Sequence, residues 1–291
     1  EILVLAFNRA VVFYFFLRIK ELFGRLGYGA YVRRLDVATF HGFATRHLGR
    51  QVNETDDWNK DRSTLLNRFA DRLETDTVFR LAVSGGLRCL LVDEFQDVND
   101  DIYRIIRGLS KQPGRAASVM VIGDDDQDIL GWNRATGKSS EPYFRAFMND
   151  YALSGNDVLT LEVNFRSGSQ IVAHTQDVLN EFFDRHNARG CRIKKSKLRA
   201  ASWAGEGSIS SVDFLSQSFD VALSQVRKSL QTIGSEPNRT VAILCRTNHE
   251  VARAYHSLLP TFPELIVQNS VSYPVARLRH IGLWLDLVKL E

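Results

Sequence analysis

The most informative part of the sequence is "CLLVDEFQDVND", from Cys89 to Asp100. Four apolar residues run directly into Asp93 and Glu94, and open α/β sheets bind their ligands at the carboxyl ends of such strands. There one carboxylate can hold Mg²⁺, directly or through water, while its neighbour activates an attacking water. A solvated turn rich in acids is the alternative interpretation. The apolar run before Asp93, with Gln96 and Asp97 after it, favours a site.

A second stretch, "VMVIGDDDQDILGW" (Val119–Trp132), repeats this layout. The three carboxylates of Asp124 to Asp126 repel one another unless they are solvated or face a cation. Gln127 can donate a hydrogen bond to a terminal phosphate oxygen. The flat ring of Trp132 is either a core side chain or a stacking platform for a ligand, and the sequence leaves both open.

The segment "GWNRATGKSS" (Gly131–Ser140) ends like a nucleotide phosphate loop. That loop needs four residues between its first glycine and the Gly-Lys pair, so that backbone N–H groups curl around the phosphates. Here five residues separate Gly131 from Gly137, and the segment does not follow a strand directly. We therefore predict that it is not a phosphate loop.

Apolar runs separated by helical patterns predict an α/β fold. Near-continuous Val, Ile and Leu without alternation is typical of a parallel sheet covered on both faces. The predicted strands are Ile2–Phe7, Cys89–Asp93, Val119–Gly123, Val158–Leu161 and Val241–Cys245. Apolar residues at helical spacing predict helices around Leu65–Leu73, Phe144–Tyr151, Ile171–Phe182 and Ala222–Ile233.

Composition is that of an ordinary globular protein large enough for two domains. The 291 residues are 44% hydrophobic and 24% charged, with a net charge of +3. From Arg185 to Arg199 there are seven Lys or Arg and no acid, which fits either a solvated loop or a contact with a nucleic-acid backbone. The scattered Cys89, Cys191 and Cys245 are expected to be reduced thiols in a cytoplasmic protein.

The apolar N-terminus, Ile2 to Leu17, does not predict a membrane span. It is only 16 residues long and carries Asn8 and Arg9 near its middle. A span needs about 20 apolar residues, and a central arginine costs roughly 2.5–3.5 kcal/mol on insertion scales. We predict no membrane association.

Three segments in this order and spacing resemble motifs II, III and IV of the superfamily 1 DNA helicases of the Rep/UvrD type. They are "DEFQD" (Asp93–Asp97), "GDDDQDILGW" (Gly123–Trp132) and "LEVNFRS" (Leu161–Ser167). Further segments resemble motif Ia, the family's Thr-Phe-His-Ser-Phe element and the strand after motif IV. These are "ILVLAFNRA" (Ile2–Ala10), "TFHGF" (Thr39–Phe43) and "VAILCRTN" (Val241–Asn248).

The resemblance implies two RecA-like domains with parallel sheets. The first would span residues 1–155, with a reduced accessory insertion of the 1B type at about 44–87, and the second would be a partial domain at 156–291. In this family the phosphate loop lies upstream of motif Ia, and motifs V and VI lie beyond the last motif found here. We therefore expect the chain to be a piece of a longer protein and to be inactive alone.

The resemblance also implies a role for each motif residue. Asp93 would hold Mg²⁺, Glu94 would be the catalytic base and Gln127 would sense the γ-phosphate. In the rest of the nucleotide site, Arg166 would be an arginine finger, Phe165 would stack on adenine, and Gln96 and Asp97 would complete the lining. The residues that would contact DNA are Phe7, Asn8, Thr39, His41 and Trp132.

Two departures from the family pattern carry expectations of their own. Leu130 and Asn133 stand where motif III usually has an aromatic and a basic residue, so base stacking there is expected to be less extensive. The helix after motif Ia continues "AVVFYFF" (Ala10–Phe16) and is apolar all round. Such a helix is expected to be buried.

The function implied is that of an ATP-dependent DNA helicase or translocase moving 3′ to 5′ in DNA repair or replication. It would use ATP and Mg²⁺ and act on single-stranded or partly duplex DNA; protein partners cannot be inferred from the sequence. Two other functions stay open at this point. One is a helicase–nuclease subunit, and the other is a module that binds DNA or a partner without turnover.

Overall fold

The computed structural model describes residues 1–49, 58–112, 114–128, 140–185, 197–207, 209, 219–233, 242–245 and 247–262. The chain divides into two compact units, Glu1–Ile209 and Ser210–Glu291. The predicted boundary at residues 155–156 concerns RecA-like domains and stays a prediction. Several residues singled out in the sequence lie outside the described ranges: Leu130, Trp132, Asn133, Cys191 and most of the basic segment at 185–199.

A four-stranded parallel sheet forms the centre of the first unit. Its strands are β1 (Ile2–Ala6), β2 (Leu35–Thr39), β3 (Cys89–Val92) and β6 (Ser118–Val121), in the spatial order β2-β1-β3-β6. Ile2 lies opposite both Leu35 and Cys89, and Cys89 lies opposite Ser118. The first residues of the four strands are therefore paired with one another. The predicted α/β class with a parallel sheet is confirmed.

Helices connect the strands, as parallel pairing requires. Those before β6 are α1 (Arg9–Arg25), α2 (Phe40–Leu48), α3 (Trp58–Thr75), α4 (Thr77–Ser84) and α5 (Asp100–Ser110). Two short antiparallel strands, β4 (Lys111–Gln112) and β5 (Arg115–Ala116), lie between α5 and β6. The Asn99 side chain caps α5 by accepting a hydrogen bond from the Ile102 backbone N–H at 3.0 Å.

The part of the predicted accessory insertion that the structure describes packs on the sheet's own core. Leu65, Phe69 and Leu73 of α3 are buried in one cluster with Leu90 and Val92 of β3. Arg104 of α5 adds ion pairs to α3, with Asp71 and Glu74. The periodic apolar residues at 65–73 thus mark a helix that helps to cover the sheet.

The helix after motif Ia is not buried, contrary to expectation. In α1, no residue whose burial is described falls in the buried class, and Phe13, Tyr14 and Leu17 are largely exposed. An apolar composition predicts burial only where other elements cover the helix. Among the described residues α1 packs mainly along β2 and the 3-10 segment Gly29–Arg34, and less along β1, which leaves its outer face in solvent.

After β6 the first unit continues with α6 (Glu141–Asp150), β7 (Val163–Asn164), α7 (Ser169–Arg185) and β8 (Arg199–Ala200). The predicted buried strand at Val158–Leu161 is wrong. Its backbone forms no strand, and Leu159 and Leu161 are exposed. Pairing begins only at Val163, which lies opposite Arg199 in a two-residue parallel ladder. In the described ranges no strand pairs with the apolar residues before Val163, which explains their exposure.

The second unit is described through α8 (Phe219–Ile233), α9 (Asn248–Leu258) and the segment 242–245. Its small core contains Leu223, Ala254 and Leu258, with Ile243 and Cys245 packed against them. The predicted strand at Val241–Cys245 is wrong for residues 242–245, which are irregular, and Val241 lies outside the described ranges. Within the described parts of both units, no helix is long and apolar enough to cross a membrane.

Candidate nucleotide site

The carboxyl end of β3 carries the first pair of candidate catalytic residues. The Asp93 backbone N–H donates to the Leu5 carbonyl at 3.0 Å, so the hydrogen bonding between β3 and β1 continues as far as Asp93. Glu94, the next residue, is exposed. Burial raises the pKa of Asp93, and repulsion from the neighbouring Glu94 raises it further. A divalent cation would relieve both effects, so the donor set at this strand end fits Mg²⁺.

The number of carboxylates is also suited to magnesium. Mg²⁺ usually takes one or two protein carboxylates and fills its other positions with water and phosphate oxygens. Asp93 is the residue that would hold it, and Mg²⁺ would supply positive charge to the phosphate oxygens.

Glu94 adopts a left-handed backbone conformation, with φ 52° and ψ 46°. This region is unfavourable for residues with a Cβ atom, by roughly 1–2 kcal/mol. The turn sends the chain from β3 into a short 3-10 segment, Phe95–Asp97, and the Phe95 N–H donates to the Ile122 carbonyl at 2.8 Å. Strained residues of this kind cluster at functional sites.

Gln96 joins the ends of β3 and β6. Its side chain is buried, and its Nε2 donates to Glu94 Oε2 at 2.6 Å. Its Oε1 accepts from the Asp124 backbone N–H at 3.0 Å. A Cβ atom at Gly123 would lie 3.0 Å from Gln96 Oε1 and 3.0 Å from the Phe144 ring, so only glycine fits this close approach without movement.

The loop after β6 positions the predicted γ-phosphate sensor. The Asp124 carboxylate accepts from the Asp126 N–H at 3.2 Å and from Gln127 Nε2 at 2.8 Å. Gln127 is exposed, so its amide is accessible at the sheet edge. Gln127 and Glu94 are therefore linked by hydrogen bonds through Asp124 and Gln96 at one edge of the sheet. The carboxyl ends of neighbouring parallel strands are expected to meet at such an edge.

The loop of motif IV is built around Asn164. Its Oδ1 accepts from the backbone N–H groups of Arg166 (2.9 Å) and Ser167 (2.8 Å), which fixes the turn. Phe165 and Arg166 project from this turn and are exposed. The Phe165 ring is 65% exposed and lies 6.3 Å from the ring of Trp203, which is 71% exposed.

A cavity of about 330 Å³ lies between the loop after β6 and the start of α7. Asp126 lines it on one side, and Asn164 and Ser167 line it on the other. The structure thus brings the loops of motifs III and IV to one cavity within the first unit.

The described candidates for DNA contact are gathered around the ends of β1 and β2. Phe7 is half-buried, with its ring 5.3 Å from that of Phe40. Thr39 is buried and caps α2, its Oγ1 accepting from the Gly42 N–H at 3.0 Å. Asn8 is exposed and His41 half-buried. Their roles at DNA stay predictions.

Two features of the site were not found from the sequence. The bridging geometry of Gln96 depends on a contact with a residue 28 positions away, which no local pattern shows. Trp203 was not singled out, although the Gly205 and Glu206 carbonyls that follow it accept from the Ser169 and Gln170 N–H groups at the start of α7. An exposed tryptophan beside "AGEG" was the available signal.

Comparison with known proteins agrees with the motifs. Residues 59–141 match the UvrD/REP helicase N-terminal domain. The chain is 38% identical over 100 residues to DNA helicase II of Escherichia coli, a match that covers 34% of this chain and 12% of the relative. It is 30% identical over 125 residues to DNA helicase II of Haemophilus influenzae, covering 43% and 16%.

A longer match is to the ATP-dependent DNA helicase UvrD2 of Mycobacterium bovis, 29% identical over 219 residues and covering 74% of this chain and 27% of the relative. The chain thus spans between 12% and 27% of the length of these relatives. The domain match indicates a RecA-like fold for the first part of the chain. A second RecA-like domain at 156–291 stays a prediction. In its motifs and in these matches, the chain is similar to the Rep/UvrD type of the superfamily 1 helicases.

Proposed function

We propose that the intact protein containing this chain is an ATP-dependent DNA helicase or translocase that moves 3′ to 5′ along single-stranded or partly duplex DNA. The observation that carries the proposal is the shared edge of β3 and β6. There the Asp93–Glu94 pair and the Asp124–Gln127 loop lie side by side, joined through the Gln96 amide. The context that we propose for this activity is DNA repair or replication, as the motif resemblance implies.

Each group at this edge has a task that its position supports. Asp93, half-buried at the strand end, would hold Mg²⁺ against the phosphates of ATP. Glu94, one residue further and exposed, would accept the proton of the attacking water. Gln127 would donate to the γ-phosphate, since its amide is exposed at the same edge.

Motif IV would supply the other side of the nucleotide site. Arg166 would offer its guanidinium fork to the charge that develops on the transferred phosphoryl group. Phe165 presents an exposed ring suited to stacking on adenine. The cavity shared by Asp126, Asn164 and Ser167 supports this arrangement, because it brings the two motif loops together.

DNA would pass over the ends of β1 and β2, where Phe7, Asn8, Thr39 and His41 lie, with Trp132 as a further stacking residue. Base stacking on aromatic rings tolerates any sequence and contributes about 1–3 kcal/mol per base. ATP hydrolysis would then step the stacked bases along the protein.

The experiment that tests this function is Glu94→Gln in the full-length protein. An amide keeps the shape and the hydrogen bond geometry but cannot accept the proton of water, so DNA-stimulated ATP hydrolysis should fall about 10²–10⁴-fold. Affinity for ATP with Mg²⁺, measured by equilibrium binding, should be unchanged. Glu181→Gln on α7, also an exposed glutamate, is the matched control and should keep wild-type turnover.

Turnover within a few-fold of wild type in Glu94→Gln would contradict the assignment of the base. A wild-type protein that binds single-stranded DNA tightly yet shows no ATP turnover would instead be a binding module. A nuclease activity that depends on ATP would identify a helicase–nuclease subunit.

A further inference from the structure

Three hydrogen bonds form a continuous chain between the two predicted catalytic loops. Gln127 Nε2 donates to Asp124 Oδ2 at 2.8 Å, and the Asp124 backbone N–H donates to Gln96 Oε1 at 3.0 Å. Gln96 Nε2 then donates to Glu94 Oε2 at 2.6 Å. The chain begins at the residue expected to sense the γ-phosphate and ends on the carboxylate expected to activate water.

The orientation of the Gln96 amide is determined by its partners. A backbone N–H can only donate, so the atom that faces Asp124 N must be the amide oxygen. The nitrogen therefore points at Glu94, whose carboxylate oxygen accepts the hydrogen bond. Either atom placed the other way would set two donors or two acceptors against each other.

Gln96 is also held too tightly to change partners freely. Its side chain is 3% exposed, and its amide oxygen lies close against Gly123. The ring of the preceding Phe95 is fully buried and packs edge-on against Phe144, with ring centroids 5.0 Å apart. A displacement of the Asp124 backbone would consequently be passed to Glu94 through the amide instead of being absorbed by solvent.

We propose that Gln96 is the positioning residue that couples γ-phosphate sensing at Gln127 to the orientation of the Glu94 carboxylate. The proposal rests on the function proposed above. Asp124 takes the Gln127 amide in this structure, and a γ-phosphate oxygen competes for that same donor. When the donor leaves, Asp124 readjusts, and Gln96 carries the change to Glu94. The coupling is reciprocal, as any linkage between two sites must be.

The first test is Gln96→Met in the full-length protein, which keeps the length of the side chain and removes both hydrogen bonds. We expect kcat for DNA-stimulated ATP hydrolysis to fall about 10- to 100-fold, the scale set by misplacing a catalytic group by about 1 Å. The KM for ATP should stay within about twofold, because the Gln96 side chain is buried and its amide already bonds Glu94 and the Asp124 N–H. Asn99→Ala is the matched control: it removes the cap of α5 nearby and should lower stability while keeping kcat.

A structural role alone predicts that Gln96→Met resembles Asn99→Ala, with a lower melting temperature and an unchanged kcat. That result would overturn the proposal and leave the proposed function intact. Absence of ATP turnover in the wild type would overturn both.

The second test uses pH and keeps a polar side chain in place. In Gln96→Glu, a protonated carboxyl can still donate to Glu94 and accept from Asp124 N, whereas the ionised form repels Glu94. The kcat of Gln96→Glu relative to wild type should therefore be highest at low pH and fall steadily as pH rises. A ratio that stays constant with pH would overturn the donor role.

A double-mutant cycle tests the link to the sensor. If Gln96 and Gln127 act through one chain, Gln96→Met combined with Gln127→Ala should lower kcat little more than the more severe single variant does. Losses that multiply would show that the two residues act independently, and the proposal would be wrong.

Discussion

Two apolar stretches of similar composition lie in opposite environments in this molecule. Leu90 and Val92 of β3 are fully buried, whereas Leu159 and Leu161 are 82% and 83% exposed. The first stretch has β1 on one side and β6 on the other, while the second has no strand beside it in the part of the chain that the structure describes. Burial is thus decided by neighbouring elements and not by the apolar run itself.

The two halves of the candidate site show the same contrast. At the ends of β3 and β6, the catalytic candidates are joined through a buried amide and fixed backbone contacts. In motif IV, Phe165 and Arg166 project into solvent from a turn held by Asn164. The first half resembles a preformed site, whereas the two side chains of the second half are exposed.

The largest effect expected from this contrast is a loss of turnover without a loss of stability at Arg166. In the full-length protein, Arg166→Ala should reduce DNA-stimulated ATP hydrolysis by about 10³–10⁵-fold, the range for arginine fingers. Because the side chain is exposed, the melting temperature should be nearly unchanged. Steady-state phosphate release and a thermal melt measure the two quantities.

The matched control is Arg145→Ala, which removes another arginine from the surface of α6, where it pairs with Glu141. It should leave turnover at the wild-type rate. A similar loss in both variants, or a large drop in melting temperature in Arg166→Ala, would remove the contrast between the two halves of the site.

The next effect concerns the two apolar stretches themselves. Leu90→Ala should lower the free energy of unfolding by about 2–5 kcal/mol, because it opens a cavity in a closed core. Leu161→Ala changes an exposed side chain and should stay within about 0.5 kcal/mol of wild type. Urea denaturation of the full chain, followed by circular dichroism, measures both.

Equal losses of stability in Leu90→Ala and Leu161→Ala would contradict the exposure of Leu161. They would mean that residues 158–161 are covered in solution by another part of the protein or by a second copy. The predicted strand would then form on association and not within the described fold.

The placement of the first half of the site could be predicted from the sequence. Apolar runs ending in Asp93 and in Asp124 predicted two strand ends, and parallel strands bring such ends to one edge. The exposure of α1 could not be predicted, because Phe13 and Tyr14 are apolar whether or not another element covers them. The position of Gln96 between Glu94 and Asp124 likewise depends on how β3 and β6 are aligned, which the linear pattern does not specify.

The smallest effect expected is the change in stability when a residue with a left-handed backbone is replaced by glycine. It can be measured at the candidate site and at the end of a helix. Glu94 and Ala152 both have left-handed backbones, with φ of 52° and 50°, and Ala152 follows the end of α6. Glycine lacks the Cβ atom that makes this conformation costly, so Ala152→Gly should raise stability by about 1 kcal/mol.

At Glu94 the side chain also bonds Gln96 and repels Asp93, so the informative quantity is the difference between Glu94→Gly and Glu94→Ala. That difference isolates the backbone, and it should again favour glycine by about 1 kcal/mol in urea denaturation. If Glu94→Ala were the more stable of the two, the left-handed turn would not be populated in solution, and the orientation of the Glu94 carboxylate toward Gln96 would have to be abandoned.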